Sequence, residues 1–68
     1  MNAADKIAKA DRIKAKLVAD KSMAEDFAEA MGLYMVLTGD YSVKRARMPV
    51  FLAGENGADK FRAQINAT

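Results

Sequence analysis

The chain has 68 residues, a net charge of +2 and no Cys, His or Trp, so most of the side chains that perform chemistry in proteins are missing. Without Cys and His there is no disulfide framework, no thiolate nucleophile, no imidazole base and no ordinary zinc site. A catalytic site would have to use Asp, Glu, Lys, Ser, Thr or Tyr in a domain with little interior in which to shift their pKa values. We therefore expect a protein that is not an enzyme and holds neither metal nor cofactor.

The length predicts a single domain over residues 1–68, whose stability is thin because domains of about 60 residues bury only about 60% of the unfolded surface. A second copy of the chain or another subunit is a candidate for supplying further burial. Fourteen of the residues are Ala, which favours helix. These features predict closely packed helices.

The charges are unevenly placed along the chain. Residues 1–21 hold six bases and three acids, residues 22–42 hold four acids and no base, and residues 43–68 hold five bases and two acids. The order is basic, acidic, basic, which indicates either that the middle segment packs beside basic flanks or that two surfaces of opposite sign face different partners.

Membrane and export signals are not evident in the sequence. The first six residues lack an apolar stretch behind a basic start, and no apolar run reaches the roughly 18 to 20 residues that a bilayer requires. The expected location is the cytoplasm, with no membrane partner.

The first predicted helix begins after Asn2, a residue suited to the N-cap, which is followed three residues later by Asp5. No Gly or Pro interrupts the chain from there to Lys21. Apolar residues recur at helical spacing on one face. This stripe consists of Ala3, Ile7, Ala10, Ile13 and Leu17.

The opposite face of this helix is basic, with Lys9, Arg12 and Lys16 at helical spacing. Pairs of opposite charge four residues apart, Asp5 with Lys9 and Lys16 with Asp20, are expected to support the helix modestly. A basic stripe of this kind is typical of a solvated face.

A second helix is predicted to begin at Ser22, because Ser22 and Glu25 match the capping box. Its first half is amphipathic, and a break follows at Gly39, which suits a left-handed position after a helix. The acids Glu25, Asp26 and Glu29 are interpreted as residues at a helix start, where the macrodipole favours negative charge, rather than as a metal or acid–base site.

Residues 30–37 read Ala-Met-Gly-Leu-Tyr-Met-Val-Leu, so apolar side chains point in every direction. Something must cover the second apolar face, and the candidates are the carboxy-terminal helices, a second copy or a different protein. A short strand over residues 33–37 after a break at Gly32 is the competing interpretation, because period alone does not separate the two in short runs. Leu33, Met35 and Val36 are the candidate apolar contacts of an interface.

After Gly39 the sequence predicts a short helix or extended segment over residues 43–48 that ends near Pro49, then a core plug over residues 50–52. Residues 54–57 read as a turn, in which Asn56 caps a final helix over residues 58–66. Phe61 and Ile65 lie one turn apart in this helix and are predicted to face the core.

The sharpest functional signal is the basic cluster of Lys44, Arg45 and Arg47 beside Tyr41. Three cations over four residues suit a phosphate or an acidic protein surface. The cluster is short, and the residues before it resemble a helix-turn-helix only faintly, because Thr38 and Tyr41 take positions where such a helix needs apolar residues.

These observations predict an all-α fold, a compact bundle of three or four short helices with the first antiparallel to the second. The expected function is that of a small non-enzymatic interaction module, either a subunit of a larger assembly or an inhibitor or adaptor that masks a surface of a partner protein. Accessory proteins of phages are often this small, which is an analogy only. The alternative is a small basic nucleic-acid-binding protein. The residues predicted to bind a partner are Leu33, Met35, Val36, Tyr41, Lys44, Arg45 and Arg47.

Overall fold

The structure is a computed structural model that describes residues 2–20, 23–42 and 56–67. These described ranges contain three helices: α1 (Ala3–Ala19), α2 (Glu25–Thr38) and α3 (Gly57–Asn66). No strand occurs in these described ranges, so the all-α prediction is confirmed and the competing strand over residues 33–37 is wrong. The predicted segment before Pro49 and the core plug at residues 50–52 lie outside the described residues.

Helix α1 begins as the sequence predicts. The Oδ1 atom of Asn2 accepts a hydrogen bond of 2.8 Å from the backbone N–H of Asp5, which satisfies one of the free amides of the first turn. The apolar stripe faces inward, with Ala10 and Leu17 buried. The helix ends at Ala19, with Asp20 as its C-cap residue.

Helix α2 begins later than predicted. Its N-cap residue is Ala24, which makes no side-chain cap hydrogen bond, so the predicted capping box is wrong. Glu25 occupies the first position of the helix instead of the third, and its carboxylate lies 3.3 Å from Nζ of Lys14 on α1. A contact between helices has therefore replaced the local cap. At the other end, Gly39 has φ = 79° and donates to the Met35 carbonyl at 2.9 Å, as expected.

Helices α1 and α2 run antiparallel. Ala10 contacts Gly32 in the middle of α2, whereas Lys14, one turn later in α1, pairs with Glu25 and Glu29 near the start of α2. The backbones approach closely at Gly32, where an added Cβ would lie only 2.6 Å from the Ala10 carbonyl oxygen. Gly32 is thus a contact point inside a continuous helix and not a break.

Helix α3 packs mainly on α2. Phe61 and Ile65 are buried, as predicted, and the Phe61 ring meets the Tyr34 ring edge-on at a centroid distance of 5.7 Å. Asn56 precedes the helix in a left-handed conformation (φ = 68°), and its side chain makes no cap hydrogen bond. Asn56 is therefore the N-cap residue, as predicted, but its side chain does not satisfy a free amide of the first turn.

Candidate interaction surface

The apolar run of α2 lies in the core of the chain. The exposed fractions of Leu33, Met35 and Val36 are 0%, 2% and 8%, and these residues share one cluster with Ala10 and Leu17 of α1 and with Phe61 and Ile65 of α3. Of the candidates for covering the run, the chain's own helices fill that role. The three predicted contact residues consequently offer no free surface in this conformation.

Tyr41 is the member of the predicted site that the structure describes at the surface. Tyr41 follows the end of α2 and is 45% exposed. Nζ of Lys9 lies over its ring, 4.2 Å from the ring centroid. An ammonium group over an aromatic face is attracted by the ring quadrupole. Lys9 thus turns to Tyr41 instead of forming the predicted pair with Asp5. The other predicted members, Lys44, Arg45 and Arg47, lie outside the described residues.

Lys9 belongs to a basic stripe on α1, defined here as Lys9, Arg12 and Lys16. Arg12 and Lys16 are exposed, and within the described ranges neither forms an ion pair with a carboxylate. Asp5 and Asp20 continue the same face at its two ends. The structure therefore presents a short positive surface, bounded by acids, that runs toward the exposed ring of Tyr41.

Two other cations, Lys14 and Arg62, are used inside the fold. Nζ of Lys14 lies 3.8 Å from Oε2 of Glu29, and Arg62 donates a hydrogen bond to Oε1 of the same carboxylate. Arg62 also lies 3.9 Å from Asp59 in its own helix. Because Lys14, Glu29 and Arg62 come from α1, α2 and α3, this triad joins all three helices. The carboxylates of Glu25 and Glu29 thus take part in ion pairs, which agrees with their interpretation as structural residues.

A groove that the sequence did not reveal lies beside this triad. It has a volume of about 740 Å³, and its apolar floor is formed by Ala15, Val18 and Ala19 of α1. Val18 is 38% exposed, and it and Tyr41 are the large hydrophobic residues exposed in the described part of the chain. The sequence shows that the three floor residues share one side of α1. It does not show that side chains of α2 and α3 form the opposite side of the groove.

Within the described residues, no group of three or more carboxylates is arranged to hold a metal ion. None of the described helices combines the length and the apolar character needed to traverse a bilayer. Comparison with known proteins finds no matching family model, no matching curated protein and no matching solved structure.

Proposed function

We propose that this protein is a small non-enzymatic interaction module of the cytoplasm that binds an acidic surface of a partner protein through the basic stripe and Tyr41. It acts either as a subunit of a larger assembly or as an inhibitor or adaptor that covers the partner's surface. The observation that carries the proposal is the division of the α1 cations: Lys14 is paired within the fold, whereas Arg12 and Lys16 are exposed without a carboxylate partner among the described residues.

The geometry of the stripe suits a compact acidic patch. Lys9 and Lys16 are seven residues apart, which is about 10 Å along a helix. Tyr41 adds an amphipathic ring at one side of the stripe, and tyrosine and arginine are enriched where protein interfaces concentrate their binding energy. The cations would mainly accelerate encounter and set orientation, while Tyr41 supplies buried area.

The acids at the ends of the stripe favour a protein partner over nucleic acid. Asp5 and Asp20 are exposed on the same face as the three cations, so a phosphate backbone that continued past the stripe would meet negative charge at both ends. An acidic patch no longer than the stripe would not reach these two carboxylates.

A small nucleic-acid-binding protein remains the second candidate, supported by the exposed Tyr41 ring beside the cations. Stacking of bases on aromatic rings within a positively charged groove is a common way to bind single strands. The two candidates differ in salt dependence, since contacts to several phosphates make log affinity fall steeply and linearly with log salt.

The test uses two variants with the same change in net charge. Arg12→Gln with Lys16→Gln removes two charges from the stripe, and Lys60→Glu changes the net charge equally on the exposed side of α3. Immobilised wild type, each variant and a blank support are incubated with a nuclease-treated extract of the source cells, and retained proteins are identified by mass spectrometry. We expect a defined acidic protein to be retained by wild type and Lys60→Glu and lost with the double variant.

Retention that is unchanged by the double variant would contradict the proposal. A parallel anisotropy titration with labelled single- and double-stranded DNA and RNA, over a series of salt concentrations, separates the two candidates. Tight nucleic-acid binding with a steep salt slope, lost in the double variant and kept in Lys60→Glu, would show that the protein binds nucleic acid and would contradict the proposed protein partner.

A further inference from the structure

We infer that the groove between α1 and α2 is a second docking site, which takes an amphipathic helix of a partner protein with basic residues flanking its apolar face. This site lies on a different side of α1 from the basic stripe, and the inference does not rest on the proposed function. The two surfaces together would let the chain bridge two partners of opposite charge.

The floor of the groove is apolar and open to solvent. Ala15, Val18 and Ala19 follow one another at helical spacing, all three are exposed, and Val18 is the bulkiest of them. Small side chains on a helix let a second helix approach closely, and a helix laid in a groove buries its apolar face against such residues. The floor therefore fits an apolar helical stripe.

The charge around the floor selects a basic occupant. The carboxylates of Asp11, Glu25 and Glu29 line the groove with only two cations, Lys14 and Arg62. Lys14 pairs with Glu25 at 3.3 Å and with Glu29 at 3.8 Å, whereas Arg62 pairs with Glu29 and also faces Asp59. Asp11 is exposed without an ion pair among the described residues, and the Glu25 side chain is 71% exposed. Three carboxylates against two cations leave the lining with one net negative charge, although the whole chain is positive.

A second copy of the chain fits the groove less well than a different protein does. Its basic stripe would match the rim in charge, but among the described residues the large exposed hydrophobic side chain beside that stripe is Tyr41, which follows α2 and lies against Nζ of Lys9, so the stripe face of α1 itself has no apolar side chain to fill the floor. Complementarity of both charge and apolar surface requires a helix that presents cations and apolar side chains together.

The experiment records amide shifts of the ¹⁵N-labelled full chain during titration with synthetic helical peptides of about 20 residues. One set carries a Leu and Ala stripe flanked by Lys and Arg, and the matched set carries the same stripe flanked by Glu. We expect the basic set to shift the amides of Ala15, Val18, Ala19 and Glu25 in a saturable manner, and the acidic set to leave them unchanged.

Variants assign the shifts to the groove. Val18→Asp should lower the affinity for the basic peptides by at least about tenfold. Ala63→Asp, on the exposed side of α3, should leave that affinity within about twofold of wild type. Glu25→Gln removes a mostly exposed charge, and it should weaken binding by severalfold even if Val18→Asp disturbs the fold.

Three outcomes would overturn the inference. They are the absence of shifts at the groove with the basic peptides, equal binding of the acidic peptides, and groove shifts that depend on protein concentration without peptide, which would identify a second copy as the occupant. None of them affects the Arg12→Gln with Lys16→Gln test, so failure here is distinguishable from failure of the proposed function.

Discussion

Gly32 is a residue at which the prediction from the sequence and the role in the structure differ. In the sequence it stands within an apolar run, where a glycine weakens a helix and suggests a break. In the structure it lies inside α2, facing the Ala10 carbonyl and the Lys14 amide of α1. The absence of a side chain permits the two backbones to approach, and this requirement arises only from the packing of α1 on α2.

We predict that Gly32→Ala destabilises the protein by about 1–3 kcal/mol, because the new Cβ would lie 2.6 Å from a backbone oxygen that cannot move without shifting α1. Helix propensity alone predicts the opposite sign, a gain of about 1 kcal/mol. Urea unfolding followed by circular dichroism measures the free energy of unfolding.

Ala15→Gly, at an exposed position within α1, is the control for that substitution and should cost about 1 kcal/mol through propensity alone. A Gly32→Ala protein that is more stable than wild type would show that α1 and α2 do not approach closely at this position.

At the scale of the elements, α1 presents chemically distinct faces. Its buried stripe packs on α2, its basic stripe faces solvent, and Ala15, Val18 and Ala19 form the floor of the groove. The triad of Lys14, Glu29 and Arg62 fixes the three helices relative to one another. Glu29 is central because its two oxygens face cations from different helices.

We predict that Glu29→Gln lowers the free energy of unfolding by about 1–2 kcal/mol, since its partly buried carboxylate has two cationic partners and a charge-assisted hydrogen bond. Urea unfolding at low and high salt measures the change, and urea is chosen because it adds no ionic strength.

Glu25→Gln removes a carboxylate that also pairs with Lys14, but its side chain is 71% exposed, so the cost should stay below about 0.5 kcal/mol. Equal losses in the two variants would mean that the triad has no special role in joining the helices.

For the whole molecule, the decisive finding is that the apolar run of α2 is covered by α1 and α3. A chain of this length has a net stability of only about 3–10 kcal/mol, so loss of one buried side chain removes a large share of it. Residues such as Leu33 and Val36 therefore serve folding. Within the described residues, the surfaces that we propose for partners are the basic stripe with Tyr41 and the groove.

The same substitution at two positions tests this assignment. Val36→Ala, at a site 8% exposed, should cost about 2 kcal/mol, because two buried methyl groups are lost and a cavity remains. Val18→Ala, at a site 38% exposed, should change stability by less than about 0.5 kcal/mol. Thermal and urea unfolding, with light scattering to record the mass, provide the measurement.

If Val36→Ala left stability unchanged and altered only the oligomeric mass, the run would be an interface between subunits and not an internal core. Comparable losses at the two positions would contradict the difference in burial between them.

Local signals in the sequence determined the all-α class, the start of α1 at Asn2, the left-handed end of α2 at Gly39 and the inward faces of Phe61 and Ile65. Each depends on spacing or on a cap residue within a few positions, so neighbouring residues suffice to specify it. The sequence also identified the exposed cations of α1, because helical periodicity alone separates that face from the apolar stripe.

Only the tertiary structure decided what covers the apolar run, because the apolar surface of such a helix can be buried equally well by its own chain or by another one. It also decided that Glu25 pairs with Lys14 instead of capping its own helix, that Gly32 is a contact point, and that Val18 lies in a groove. These features depend on distances between helices that are far apart in sequence, and no local pattern encodes such distances.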